Sequence, residues 1–118
     1  MTWDVQIDDD FALELAALDA AVRAEIVALT LLLRDEGPQL GRPHADTLKG
    51  SRHANMKELR VRMPNAAWRV AFAFDPERAA IVLVAGDKSG VNEKRFYRTL
   101  IAKADERFDR HLEALKAT

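Results

Sequence analysis

Cysteine is absent from this chain of 118 residues, which excludes disulfides, thiolate nucleophiles and cysteine-bound zinc and fits a reducing compartment. Long apolar runs are missing too. No stretch approaches the roughly 18 residues of a membrane span, and no basic segment precedes an apolar one as in a signal peptide. A cytoplasmic chain with no membrane partner is therefore expected. Three histidines and one tyrosine leave few side chains suited to proton transfer near neutral pH. The length suits one core, so residues 1–118 are read as a single domain.

A large net charge is also lacking, but the formal value of −1 hides a division along the chain. Residues 1–41 hold nine acids against Arg23 and Arg34, a balance of −7. From Arg42 to Phe72 seven bases face Asp46 and Glu58, a balance of +5. Such a run is often only solvated surface. Strand phase argues for more here. Read with period two, residues 57–63 set Leu59, Val61 and Met63 against Glu58, Arg60 and Arg62, and residues 67–74 set Trp68, Val70, Phe72 and Phe74 against Ala67, Arg69, Ala71 and Ala73. Guanidinium groups among small alanines predict an accessible face with room for an anionic ligand.

The remaining elements follow from periodicity and punctuation. Trp3, Val5 and Ile7 alternate as a short strand, and Asp8, Asp9 and Asp10 offer helix caps. Apolar residues at spacings of three and four from Phe11 to Arg34 predict one or two amphipathic helices, with Asp19 a start for the second. Gly37-Pro38 ends them, and a long loop is expected as far as Asn55. After the hairpin, Asp75–Arg78 reads as a turn and Ala79–Ala85 as a central strand paired on both sides. Residues 92–115 carry Phe96, Leu100, Ala104, Phe108 and Leu112 as the buried stripe of a last helix. The fold class is α+β: a short N-terminal strand, two helices, a three-stranded antiparallel meander and a C-terminal helix.

Two short motifs are set aside. His44, Asp46 and His53 lie in an irregular loop without an i,i+4 histidine pair, so no metal site is read there. Gly86-Asp87-Lys88-Ser89-Gly90 lacks the full phosphate-loop pattern, and turn chemistry accounts for it.

The order of elements, Glu58-Leu59-Arg60 followed by Trp68-Arg69-Val70, and IVLVAGDKSG leading into a last helix together resemble the RelE/HigB group of bacterial toxins, nearest the phage-type HigB-like branch. The likeness spans nearly the whole chain. It implies a small α+β toxin, neutralised by a cognate antitoxin that often bears a helix-turn-helix domain, which cleaves messenger RNA, usually on the ribosome; the 2′-OH chemistry of such a cleavage requires no cofactor or metal. Departing from many strongly basic relatives, this chain is near neutral. That keeps two alternatives open: a gyrase inhibitor like the ParE branch, or a degenerate toxin that only binds its antitoxin.

Cleavage by a ribose 2′-OH needs a base, cations for the phosphorane charge and an acid for the leaving oxygen. Arg69 matches the family's second hairpin arginine and is assigned to the scissile phosphate. Arg60 and Arg62 would stabilise charge beside it, and Lys88 matches the basic position after the central strand. His53 ranks first as base on its intrinsic pKa, whereas Tyr97 would need a strong downward shift for that role. Lys49, Arg52 and Lys57 are expected to add RNA contacts. His53 as an ordinary loop residue and Tyr97 as a packed ring remain the plain alternatives. His44 and His111 are read as structural or surface residues.

Overall fold

The computed structural model describes residues 2–117. The chain opens with strand β1 (Asp4–Ile7) and helices α1 (Asp9–Ala16) and α2 (Ala20–Glu36). Asp8 caps α1 by accepting from the Phe11 amide at 3.0 Å, and Asp19 caps α2 through the Ala21 amide. Gly37 ends α2 with φ +59°, and a Cβ there would meet the Trp3 indole at 2.3 Å, so both conformation and space require glycine.

Strands β2 (Ala45–Thr47), β3 (Met56–Met63), β4 (Ala66–Phe74) and β5 (Ala79–Asp87) follow, and helix α3 (Glu93–Lys116) completes the order. The sheet runs β1-β5-β4-β3-β2, with β1 parallel to β5 and the other pairs antiparallel. Both the predicted meander and the two-sided pairing of β5 are present. The expected loop to Asn55 is not wholly irregular, because it holds a 3-10 turn at Gly37–Gln39 and the edge strand β2. Three residues are too few to display alternation, and Pro43 and Gly50 flank them.

Helices cover both faces of the sheet. Phe11, Ile26 and Leu33 from α1 and α2 pack with Leu59, Val70, Phe72 and Val82 in one core. Leu100, Ile101, Ala104 and Phe108 of α3 pack with Met56, Ala71, Ala73 and Leu83 in the other. The alanines of β4 therefore make room for α3, which corrects the expectation of an open ligand face above them. Between Ala71 and Phe72 the register on β5 steps from Val84 to Val82. That irregularity places Leu83 and Val84 together in the α3-side core.

Candidate functional site

Arg60 on β3 and Arg69 on β4 are directly paired across the sheet, on the face that α3 covers. Like charges so placed repel, and a counter-charge has to stand beside them. Glu58 supplies it. Its Oε2 accepts from Arg60 Nη1 at 2.8 Å, and its Oε1 lies 3.8 Å from Arg69 Nε and accepts from the Tyr97 hydroxyl at 2.8 Å. Glu58 and Arg69 are buried, and Arg60 keeps 12% of its side-chain exposure. The predicted accessibility of Arg69 is thus not met, because the start of α3 closes over this row of the sheet. Gly86, Arg69's partner on β5, lies so near that a Cβ would meet the Phe96 ring at 2.9 Å.

The cluster is not saturated. Two guanidinium groups share one carboxylate, and the Nε–H groups of Arg60 and Arg69 are buried without a hydrogen-bond partner among the described residues. Buried unpaired donors are rare in folded proteins, and an excess of donors and of positive charge suits an anion. Tyr97 is shifted to a raised pKa, first by burial and then by Glu58, with Arg69 opposing. The shift runs against a role as base. At neutral pH the phenol is a proton donor.

Two further predicted residues lie along the same end of the sheet. Arg62, opposite Ala67, is exposed. Lys88 donates its amide to the Ala67 carbonyl at 2.9 Å, and its Nζ stands 3.8 Å from Glu93. Asp87 shapes that turn by accepting from the Ala67 and Ser89 amides.

Lys49 and Arg52 meet Tyr97 from another direction. With Lys94 and Arg98 of α3 they line a groove of about 530 Å³ between the β2–β3 loop and the helix. Tyr97 thus belongs both to the groove and to the Glu58 cluster. Lys94 and Arg98 escaped the reading of the sequence, although their spacing of four places them on one helix face with Tyr97 beside them.

His53 and Lys57 are placed elsewhere. The Nε2 of His53 meets Asp109 Oδ1 at 2.7 Å, twelve positions along α3 from Tyr97 or roughly 18 Å of helix axis. The structure does not join His53 to the arginine pair, and its ring packs edge-on against Phe108. Lys57 has the strand phase of Leu59, so its Nζ reaches the Pro38 carbonyl on the α2 side of the sheet. His111 hydrogen-bonds Asp75 at 2.8 Å as a structural residue, and His44 is exposed. No group of metal-ligating side chains occurs among the described residues.

Helices on both faces of a mixed five-stranded sheet, with a cationic end beside the last helix, define a RelE-type fold. A double arginine-to-alanine mutant of Escherichia coli toxin RelE in the free state superposes with TM-score 0.62 at 15% identity, covering 87% of this chain and 97% of that one. RelE in an archaeal RelE–RelB complex from Pyrococcus horikoshii gives 0.55 at 17%, covering 77% and all of that chain. At these identities the likeness concerns the fold.

The chain belongs to the family described as Phage derived protein Gp49-like (DUF891), whose model matches residues 13–109. It is 44% identical over 105 residues to a Mycobacterium tuberculosis protein named as toxin HigB2, covering 88% of this chain and 52% of the relative. A second protein of that organism, named as toxin HigB3, is 45% identical over 96 residues, covering 81% and 82%. The chain spans about half the length of HigB2.

Proposed function

We propose that this protein is the toxin of a toxin–antitoxin pair, acting as a ribosome-associated endoribonuclease on messenger RNA. The observation that carries this reading is the Arg60–Arg69 pair, with its unmet donors, held by Glu58 and Tyr97 at the end of a cationic groove. The RelE/HigB-like names of the relatives support the class, and the archaeal complex supports an antitoxin partner. A helix-turn-helix antitoxin and a cytoplasmic location belong to the same proposal.

The chemistry uses the groups already in contact. Phosphate oxygens enter from the side of Arg60, which keeps some exposure, and as the start of α3 moves aside they take over the guanidinium donors of Arg60 and Arg69, releasing the Glu58 carboxylate. Glu58 accepts the proton of the 2′-OH as its oxygen attacks phosphorus. The bond from phosphorus to the 5′ oxygen breaks, and Tyr97 protonates that oxygen. A 2′,3′-cyclic phosphate and a 5′-hydroxyl result. The Glu58–Tyr97 hydrogen bond then returns the proton to the phenolate, closing the cycle. Lys88 and Arg62 add positive charge beside the phosphorane.

Purified chain added to a translating extract should cut messenger RNA within ribosome-bound codons, as mapped by primer extension. Intact messages together with gyrase-dependent DNA breaks would instead establish the ParE-like alternative.

A further inference from the structure

The loop that supplies Lys49 and Arg52 is gripped by two acids one turn apart on α3. Asp105, only 3% exposed, accepts from Ser51 Oγ at 2.5 Å and from the Arg52 amide at 3.1 Å. Asp109 pairs with the guanidinium of Arg52 and with His53. Ser51 Oγ in turn accepts from the His53 amide at 2.9 Å. A polar loop of this kind would otherwise be mobile, and mobile cations bind a polyanion at an entropic cost. Here the Asp105 carboxylate is buried beneath the loop, the partly exposed Asp109 carboxylate is engaged by Arg52 and His53, and Lys49 remains exposed on the rim opposite Lys94 and Arg98.

We propose that the groove between this loop and α3 is a subsite for single-stranded nucleic-acid backbone leading to Tyr97, and that Asp105 is the positioning residue that builds its loop-side wall. The proposal deepens the nuclease reading and rests on it for the direction of the strand. Lys49 on the loop wall, with the ion-paired Arg52 beside it, faces Lys94 and Arg98 across the groove. This spacing of cations suits successive phosphates, and the open shape admits an extended strand without base selection. Asp105 itself lines the inner end of the groove, but its carboxylate is buried and engaged by Ser51 and Arg52, which weakens its repulsion of a bound phosphate. Burial of such a charge is explained by the loop it fixes.

The test uses the full chain and a deoxyuridine oligomer of about 12 nucleotides, which lacks the attacking hydroxyl, with affinity read by fluorescence anisotropy across a salt series. Lys94→Ala/Arg98→Ala changes exposed residues only, and thermal unfolding confirms the fold. It should weaken binding at least tenfold near 0.1 M salt and lower the slope of log affinity against log salt by about 1.4, at roughly 0.7 per phosphate contact. Asp105→Asn should weaken binding in the wild-type background and have no further effect in a Lys49→Ala/Arg52→Ala background. An unchanged slope in the first variant overturns the subsite. Preference of the wild-type chain for a polyglutamate peptide over the oligomer likewise overturns the nucleic-acid subsite, and additive losses in the second comparison overturn the positioning role of Asp105. Binding as described with no RNA cleaved in translating extract would defeat the nuclease reading alone.

Discussion

The hydroxyl of Tyr97 donates to Glu58 Oε1 at 2.8 Å where the first turns of α3 cross the sheet. A tyrosine needs a depressed pKa to serve as a base, and burial beside Glu58 raises it instead. The sequence showed the residue but not its neighbour, because Glu58 lies 39 positions away and looks like one surface acid in a basic run. His53 was hard to place for the complementary reason. The partner that claims its ring is 56 residues distant. Removing the phenol oxygen in Tyr97→Phe costs about 1 kcal/mol of stability in urea unfolding, since Glu58 keeps Arg60. Cleavage should fall about 10²-fold or more. Glu58→Gln leaves both guanidinium groups without a counter-charge and should cost on the order of 3 kcal/mol. A Glu58→Gln protein as stable as the wild type would show that the arginines do not depend on that carboxylate.

At the scale of elements, strands and helices were readable where apolar periodicity was long. Asp19 was legible as the start of α2, and Asp8 is the one of three consecutive acids that caps α1. Strand β2 and the irregularity at Leu83 were not readable, since neither leaves a repeat to detect. The structure answers the second with Arg107, whose Nη1 donates to the Leu83 carbonyl at 2.8 Å while the same guanidinium pairs with Glu14 of α1. One side chain thus joins α3, β5 and α1. Arg107→Met keeps much of the aliphatic stem and leaves that carbonyl unpaired. A loss of about 1–3 kcal/mol is expected from chemical denaturation, and full stability would show that the carbonyl finds another donor.

For the whole molecule, net charge was the least informative quantity and its division the most. The acidic N-terminal third forms β1, α1 and α2, and the helices cover the face of the sheet away from the arginine pair and the groove. The strand phase that defined the arginine face was right for Arg60 and Arg69. Its inferred openness was not, because α3 occupies most of that face, and a helix folding over a strand lies beyond any local pattern. Two acids paired across elements contribute to the response to pH, and Asp46 and Asp87 are also held below their ordinary value. Glu14 is held below its ordinary value of 4.5 first by the Arg107 hydrogen bond, and Asp109 below 3.8 first by His53. Depressed carboxylate pKa values give stability that is present above those ordinary values and is lost as pH falls through the folded ones. The thermal midpoint should therefore drop as pH goes from about 5 to about 3, and the Glu14→Gln/Asp109→Asn protein should show a shallower decline. Identical pH profiles would remove these pairs from the explanation.

The chemistry at Glu58, Arg60, Arg69 and Tyr97 is tested most directly by the ends of the RNA fragments made in a translating extract. Wild-type protein should leave 2′,3′-cyclic phosphate and 5′-hydroxyl ends, and folded Tyr97→Phe should leave the same ends at a rate lower by about 10²-fold or more. Fragments with 5′-phosphate ends, or a Tyr97→Phe protein that cuts at the wild-type rate, would contradict it.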